Sequence, residues 1–415
     1  MLAGAILVFS AASLRLAAAQ TAATGGVVAD GNAVLTGFSG VQLPTLIKPG
    51  TDPAERTTIN LNGPALRVID LQVPGTAPQA QLLQTQKPFT ATAAQVGQVF
   101  AVTLDNATPP NIYVAATSAY GLPIVVPDAD GDGIPDRQEK GAPNASFMPG
   151  LFGPTALGGG PGSIWQINGA TGAVRLFANV TLDGAPNSGP ALGGVAFDPA
   201  SNTLLVADRE TGMIHRFDLS GAERGRYDHG VTGRQAAGLP PVPFDPAGRL
   251  NIKSPPFQPA DPATWGYAPP SRRIFGLALR AGRLYYAAAE NLQIWSVAIG
   301  PDGSFGTDAR IEITVPPGQS ASEISKIEFD DQGQMLLAER VAPSGAFDFA
   351  ALTEEGGGRV LRYWLVRTDD PASGWQPVSN EYAIGFAGSS RNGNGGVAVG
   401  HGYDSRGRLD RNACG

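Results

Sequence analysis

The feature that most constrains the fold of this chain is a repeat of short strands within its own sequence. Residues 193–219 read GGVAFDPASNTLLVADRETGMIHRFDL, which is three apolar segments separated by turn residues, and a more polar segment follows at 224–227. Alternating apolar and polar residues between Gly, Asp and Pro turns predict strands and not helices. The unit is therefore predicted to be a four-stranded antiparallel meander.

The same order of segments recurs along the chain. The further copies are IFGLALRAGRLYYAAAENLQIWSVAIGPDG from Ile274, ISKIEFDDQGQMLLAER from Ile324 with GGRVLRYWLV from Gly357, VFAVTLDNATPPNIYVAATS from Val99 resuming as GSIWQINGATG at Gly162, and GGVAVGHGYDSRGRL from Gly395. The last copy stops before a third strand. Repeats of about 40 to 50 residues with four short strands are typical of β-propeller blades.

The sequence thus predicts an all-β fold, a β-propeller of four-stranded blades with two long loop insertions. Six blades are favoured, and five to seven remain open. The 55 Gly and 35 Pro among 415 residues favour turns and argue against a helical bundle. Strands within 57–73 are predicted to close the ring, with a truncated chain as the alternative explanation of the short last copy. A pair of β-sandwiches is the competing fold.

On this repeat pattern, the chain resembles the six-bladed β-propeller superfamily that includes NHL-repeat proteins and calcium-dependent gluconolactonase-like hydrolases. The resemblance covers about residues 95–410 and implies a central mouth built from blade loops. The Glu-Gly-Pro and Asn-Asp-Gly motifs of those enzymes are absent from this sequence. By repeat position, Asp208 is the best counterpart of a central acid.

The chain divides into three predicted parts. Residues 1–19 are an apolar stretch ending in three alanines, which predicts a signal peptide cleaved near Ala19 and a secreted or periplasmic protein; a buried N-terminal helix is the alternative. Residues 20–94 form an N-terminal segment, and 95–415 form the propeller with insertions at 121–161 and 230–273. No other segment has transmembrane length. Because Cys414 is the only cysteine, no intrachain disulfide can form.

The sharpest motif is DADGDGIPDRQE at 128–139, within the first insertion. Its spacing matches the twelve-residue calcium loop, in which a hard cation takes several carboxylates and a backbone carbonyl around a tight Gly turn. The extended flanks and Pro135 make it resemble a thrombospondin type-3 loop, which implies a structural Ca²⁺ site; a solvated acidic turn is the alternative. The predicted ligands are Asp128, Asp130, Asp132, Ile134, Asp136 and Glu139.

A second set of candidates lies where the second strands of the repeats end. These residues are Asp208 and Arg209, Glu290, Glu339 and Arg340, with Thr117 and Ser118 in the first repeat. Equivalent loops of successive blades converge on one mouth. Asp208, Glu290 and Glu339 are therefore catalytic candidates that could hold a second calcium and polarise a lactone or ester carbonyl. The alternative is that these acids pair with arginines and link neighbouring blades.

The net charge is −7 and no run of Lys or Arg occurs, which excludes a nucleic-acid partner. Because no reaction centre is identifiable, the leading hypothesis is a non-catalytic, calcium-binding propeller that binds a ligand, a protein or a glycan. The alternative is a calcium-dependent lactone or ester hydrolase at the central mouth. A third hypothesis is a carbohydrate-binding face built from Trp265, Tyr267 and Trp375.

Overall fold

The structure is a computed structural model that describes most of the chain. It covers residues 26–43, 56–72, 85–128, 131, 133–318, 321–341, 358–367, 370–378, 395–406 and 408–414. The predicted signal peptide and the calcium ligands Asp130 and Asp132 lie outside the described residues.

Among the described residues, five antiparallel sheets, which we call blades 1 to 5, surround the axis, and strands are numbered along the chain. Blades 2 to 5 carry four of the five repeat copies, whereas the copy from Gly395 carries only the hairpin of β27 and β28. Blade 1 consists of β1 (Asn32–Thr36), β4 (Pro64–Asp70) and β5 (Phe89–Thr92). Blade 2 consists of β6 (Val99–Leu104), β7 (Ile112–Ala116), β11 (Ser163–Ile167) and β12 (Val174–Asn179). Blade 3 consists of β15 (Leu192–Asp198), β16 (Thr203–Asp208), β17 (Met213–Asp218) and β18 (Glu223–Asp228).

Blade 4 consists of β19 (Ile274–Arg280), β20 (Arg283–Ala288), β21 (Gln293–Ala298) and β22 (Arg310–Thr314). Blade 5 consists of β23 (Ser322–Phe329), β24 (Met335–Val341), β25 (Val360–Leu365) and β26 (Trp375–Pro377). Blades 3 to 5 are meanders in which each strand pairs with the next one in sequence. In blade 2, the first insertion separates the second strand from the third, as the interrupted repeat predicted.

The remaining strands form small sheets and hairpins. They are β2 (Val41–Gln42) with β3 (Thr58–Ile59), β8 (Ile124–Val126) with β9 (Asp136–Gln138) and β10 (Ser146–Phe147), β13 (Thr181–Leu182) with β14 (Ala185–Pro186), and β27 (His401–Tyr403) with β28 (Leu409–Cys414). The helical segments are α1 (Ala93–Val96), α2 (Arg234–Ala236), a π turn at His229–Gly233, and short 3-10 turns at Thr155–Leu157, Pro246–Gly248, Pro262–Thr264, Glu290–Leu292 and Pro371–Ser373. Within the described residues, no helix is long and apolar enough to cross a membrane.

The first strands of the blades stand side by side around one central cavity. Residues of β1, β6, β15, β19 and β23 all contribute to the cavity wall. This radial arrangement of antiparallel sheets confirms the predicted all-β propeller fold.

Glycines let the first strands approach each other at the axis. A Cβ added to Gly194 of β15 would lie 2.6 Å from the carbonyl oxygen of Phe275, and one added to Gly276 of β19 would lie 3.2 Å from that of Ile324. A β-bulge interrupts the pairing near the start of the first strand in each of blades 2 to 5. Bulges bend and twist a strand. Backbone crowding at the axis therefore explains why the first strands of blades 3 and 4 carry glycine at positions 194 and 276.

The hydrophobic cores lie between adjacent blades. Tyr113 and Phe177 of blade 2 pack with Leu204 and Phe217 of blade 3 in one cluster. Equivalent clusters join blades 1 and 2, blades 3 and 4, and blades 4 and 5. Blades 2, 3 and 4 thus bury both faces against their neighbours.

The two insertions pack against each other. Leu122, Ile124 and Met148 of the first insertion share a buried cluster with Phe257 and Trp265 of the second. The amide of Gly141 also donates to the carbonyl oxygen of Phe257 at 2.8 Å. The two insertions therefore pack together as one structural unit.

The segment 395–414 contacts both blade 5 and blade 1. The hydroxyl of Ser325 in β23 donates to the carbonyl oxygen of Gly395 at 2.7 Å. The amide of Leu409 donates to the carbonyl oxygen of Gln72, just after β4, at 2.8 Å. In addition, the hydroxyl of Thr36 in β1 donates to the carbonyl oxygen of Phe100 in β6 at 2.5 Å. Blade 1 therefore lies between this segment and blade 2.

Candidate functional site

One end of the propeller gathers the polar residues that the repeat pattern singled out. In blades 2, 3 and 5, the second strand ends beside the start of the first strand, as in the pairs Val99–Ala116, Leu192–Asp208 and Ser322–Val341. We call this end the upper end. Arg209 directly follows β16, and Arg340 is the second-to-last residue of β24, so both guanidinium groups start from this end.

Asp208, the predicted central acid, belongs to a buried turn after β16. Its carboxylate accepts hydrogen bonds from Asn187 Nδ2 and Thr211 Oγ1, both at 2.7 Å, and from the amide of Glu210 at 3.0 Å. The hydrogen bonds to the Asp208 carboxylate therefore stabilise the turn in which this residue lies.

The other two predicted carboxylates pair with arginines. Glu290 accepts from Arg234 Nη1 at 2.5 Å, and Glu339 accepts from Arg359 Nε at 2.5 Å and from the hydroxyl of Ser322. Asp208, Glu290 and Glu339 thus lie in separate hydrogen-bond networks. Within the described part of the chain, no three His, Cys, Asp or Glu residues are grouped so that they could hold a metal ion.

The groups that do converge at the upper end are three arginines and one glutamate, which we call the arginine cluster: Arg209, Arg273, Arg340 and Glu323. Arg209 Nη2 lies 2.6 Å and 2.8 Å from the two carboxylate oxygens of Glu323. Arg273 Nε lies 3.1 Å from one of the same oxygens. Glu323 is also the direct cross-strand neighbour of Arg340 in the pairing of β23 with β24. The cluster therefore joins blades 3, 4 and 5.

Aromatic rings enclose the guanidinium groups. The Cζ atom of Arg209 lies 4.4 Å from the ring centroid of Tyr267 and 4.5 Å from that of Phe275, and Arg340 Cζ lies 5.1 Å from the centroid of Phe100. Arg guanidinium groups stack favourably on aromatic faces, most strongly where water is excluded. Because Tyr267 lies in the second insertion, this insertion helps to build the cluster.

Burial and the neighbouring charges shift the pKa values of this cluster in opposite directions. Burial alone would raise the pKa of Glu323, but Arg209, Arg273 and Arg340 hold it below its ordinary value, so the carboxylate is ionised. Burial lowers the pKa of Arg340, and the charge of Glu323 opposes that shift. Burial raises the pKa of Tyr120 to about 12, so its hydroxyl keeps its proton. Three cations thus face one anion, and the cluster has an excess of positive charge.

The central cavity borders this cluster. Its volume is about 540 Å³, within the range of about 300 to 1,000 Å³ that is typical of small-molecule sites. Most of its wall is apolar, with Phe38, Phe100 and Tyr120 close together; the Tyr120 ring centroid lies 5.8 Å from that of Phe38 and 6.1 Å from that of Phe100. The charged residues of the wall, within the described part of the chain, are Lys326 and Arg340.

Arg340 has unused hydrogen-bonding capacity at this wall. Its side chain is buried at 3 % exposure, and its Nη2 donates to the carbonyl oxygen of Ala119 at 2.7 Å. Its Nε and Nη1 atoms have no hydrogen-bond partner among the described residues. Unsatisfied buried donors are rare in proteins, and such a group calls for an explanation.

Sequence reasoning identified Arg209 and Arg340 as neighbours of the candidate acids but missed Glu323 and Arg273. Arg273 directly precedes β19, and Glu323 is the second residue of β23. A charged residue at the start of an apolar first strand is the signal that could have found both. First strands approach the axis, so a charge there needs a partner from another blade.

The calcium-loop sequence connects two strands and not two helices. It runs from Asp128, after β8, to Glu139, after β9. The carboxylate of Asp128 accepts from the amides of Gly131 at 2.7 Å and Gly133 at 2.6 Å. Gly133 has a φ of +85°, a conformation that favours glycine. The described residues thus fit the first position and the turn of a calcium loop.

The predicted aromatic platform for carbohydrate is wrong. Trp265 is fully buried, and its Nε1 donates to the carbonyl oxygen of Gln258 at 3.2 Å. Trp375 is 7 % exposed and donates to Glu312 at 3.2 Å. Tyr267 lies against the guanidinium groups of Arg209 and Arg273. Loop anchoring was the alternative explanation of these aromatics, and the burial of Trp265 and Trp375 agrees with it, so the rings offer no shared flat surface to a sugar.

Comparisons with known proteins assign no family. No family model and no curated protein matches the chain. Among solved structures, it is similar to a putative 6-phosphogluconolactonase from Bacteroides uniformis, with 12 % identity, 85 % of this chain and 92 % of that chain covered, and a TM-score of 0.37. It is also similar to the periplasmic gluconolactonase of Pseudomonas aeruginosa, with 10 % identity, 77 % and 79 % covered, and a TM-score of 0.35. It is similar as well to a chain of a nidogen/laminin complex, with 11 % identity, 74 % of this chain and 72 % of that chain covered, and a TM-score of 0.35.

Proposed function

We propose that this protein is a non-catalytic binding module that holds a small ligand in the central cavity of its propeller. The observation that carries the proposal is the cavity of about 540 Å³, which is lined by the first strands of all five blades. Small-molecule sites are typically concave, mostly apolar and equipped with a few placed polar groups. Tyr120, Lys326 and Arg340 are such groups here.

The hydrogen bonding of the candidate acids supports a binding role over catalysis. A general base or a metal ligand needs a lone pair that faces the substrate or the ion. Asp208, Glu290 and Glu339 instead bond to Asn187, Arg234 and Arg359 respectively. A calcium-dependent lactone or ester hydrolase would have to break these networks first.

The proposal also includes a structural Ca²⁺ in the loop 128–139 and a location outside the cytoplasm. Extracellular calcium modules bind with dissociation constants of about 0.1 to 1 mM, which suits an ion-rich environment. The loop connects β8 to β9 in the first insertion, which packs on the second insertion through Phe257. Calcium would order a connector that supports the upper end, and it would take no part in chemistry.

The cavity is tested with a fluorescent probe, anilinonaphthalene sulfonate. We expect the native protein to bind it, Ala101→Trp to abolish the fluorescence increase by filling the cavity, and Ala170→Trp to leave it unchanged. Ala101 lines the cavity, whereas Ala170 lies in an exposed turn. Equal binding by all three proteins would contradict the proposal.

The absence of catalysis is tested with a panel of lactones and aryl esters, with calcium and with chelator. We expect no turnover by the folded protein. Turnover that is lost on chelation and in Asp208→Asn or Glu339→Gln would overturn the proposal and establish the hydrolase in its place.

A further inference from the structure

We propose that the ligand of the central cavity is an organic anion whose oxyanion group pairs with Arg340 while its apolar body fills the space between the first strands. This inference rests on the proposed function and specifies the chemical class of the ligand. It depends on the unused donors of Arg340, the charge of the wall and the apolar character of the rest of the cavity.

The first observation is the state of Arg340 itself. Its guanidinium is buried at the cavity wall, and only Nη2 has a hydrogen-bond partner, the carbonyl oxygen of Ala119, among the described residues. A buried charge without a full set of partners is costly. A planar oxyanion such as a carboxylate accepts several guanidinium hydrogen bonds at once, which would satisfy this side chain.

The second observation is the balance of charge. Among the described residues, the wall contains Arg340 and Lys326 but no Asp or Glu. The carboxylate of the arginine cluster, that of Glu323, already pairs with Arg209 and Arg273. Lys326 pairs with Glu328 at 3.4 Å, where both side chains are partly exposed. Positive charge is therefore left over at the buried end of the cavity, and an anion complements it.

The third observation is that the surroundings hold Arg340 in place. Its Cζ lies 5.1 Å from the centroid of Phe100. A Cβ added to Gly395 would lie 2.6 Å from the Arg340 Cβ, so the glycine leaves just enough room for this side chain. A guanidinium fixed before the ligand arrives loses little entropy on binding, which favours affinity.

The rest of the wall selects the body of the ligand. Val34, Phe38, Phe100, Val102, Val195 and Leu277 present apolar groups. An aromatic or branched aliphatic body would bury its surface against them. A small inorganic anion would leave this apolar surface uncovered, so an ion without an apolar body would bind weakly.

The test compares three probes that share one body: phenylbutyrate, its neutral amide and the corresponding amine. Each competes with anilinonaphthalene sulfonate for the native protein. We expect the carboxylate to bind tighter than the amide by about tenfold or more, as for other charge-assisted hydrogen bonds, and the amine to bind more weakly still. Acetate, which lacks the body, is expected not to compete.

Variants assign the effect to Arg340. Arg340→Gln is expected to remove the preference for carboxylate over amide, and Arg340→Lys to retain part of it, because lysine keeps the charge but not the planar donors. Arg224→Gln, on an exposed outer strand, is the matched control. Since Arg340→Gln could fail to fold, the ratio of carboxylate to amide affinity in Arg340→Lys provides an independent measure.

The outcomes separate this inference from the proposed function. Equal binding of carboxylate and amide, with both lost in Ala101→Trp, would overturn the anion assignment and leave cavity binding intact. A carboxylate preference that persists in Arg340→Gln would also overturn it. Failure of every probe to compete, or competition that is insensitive to Ala101→Trp, would overturn both.

Discussion

Arg209 Nη2 lies 2.6 Å and 2.8 Å from the two carboxylate oxygens of Glu323, although 114 residues separate them in the sequence. Arg209 follows the second strand of blade 3, and Glu323 lies at the start of blade 5. Their pairing spans blade 4, whose Arg273 contacts the same carboxylate. One buried anion therefore connects three blades at the upper end of the propeller.

The first prediction concerns the loss of this anion. Glu323→Gln would leave the guanidinium groups of Arg209 and Arg273 without their charged partner in a buried site, which is expected to cost about 3 to 5 kcal/mol of unfolding free energy. Glu328→Gln, in a partly exposed pair, is expected to cost at most about 1 kcal/mol. Denaturant unfolding measures both, and equal losses would contradict the central role of Glu323.

The same carboxylate makes the fold sensitive to acid. Since the pKa of folded Glu323 lies below the ordinary value of 4.5, its contribution is fully present above about pH 4.5 and is lost as the pH falls through the folded value. Glu323→Gln should therefore be less stable at pH 7 than the native protein, with the difference shrinking in acid. A difference that stays constant with pH would rule out ionisation as the cause.

The second prediction concerns His229, which packs on Trp295 with ring centroids 4.8 Å apart. Burial, together with Arg234 and Arg272, lowers its pKa to about 3. The unfolded chain takes up the proton near pH 6.5, so stability should fall between pH 6.5 and 3, by up to about 1.4 kcal/mol per pH unit. His229→Phe should flatten this dependence above pH 4.5. An unchanged slope in His229→Phe would contradict the assignment.

The third prediction concerns Gly194. A Cβ at this position would lie 2.6 Å from the carbonyl oxygen of Phe275, a backbone atom of the next blade. Gly194→Ala should therefore push two first strands apart and reduce the unfolding free energy by about 1 to 3 kcal/mol. Gly248→Ala is the control, because nothing lies within 4 Å of the added methyl group. Thermal unfolding measures the melting temperatures of Gly194→Ala and Gly248→Ala. Similar values for the two variants would contradict the argument that the backbone is crowded at Gly194.

The fourth prediction concerns the calcium loop. Removal of calcium should leave the carboxylates of 128–139 repelling one another, and the loop should open. Limited proteolysis within 121–161 is expected to become severalfold faster with chelator, and Asp128→Asn should show the faster rate even with calcium. Asp183→Asn, at an exposed pair with Arg226, serves as the control. Identical cleavage with and without chelator would mean that the loop is a solvated acidic turn.

The sequence by itself determined the local structure of this protein. Strands such as β15 to β18 followed from alternating residues and turn signals, because period-two patterning and turn chemistry act between residues close in sequence. The recurrence of that unit then determined the fold class, since one blade cannot bury its own faces and must pack against copies of itself. The same logic correctly brought Arg209 and Arg340 to one end of the molecule.

Only the tertiary structure decided which charges meet. Asp208, Glu290 and Glu339 were assigned to equivalent strand ends, yet their partners Asn187, Arg234 and Arg359 come from unrelated places: the connection between β14 and β15, the second insertion, and the residue before β25. Trp265 has the sequence context of an exposed loop but is buried where the two insertions pack. Ion pairs and burial depend on distances of a few ångströms between residues far apart in the chain, and strand periodicity carries no information about them.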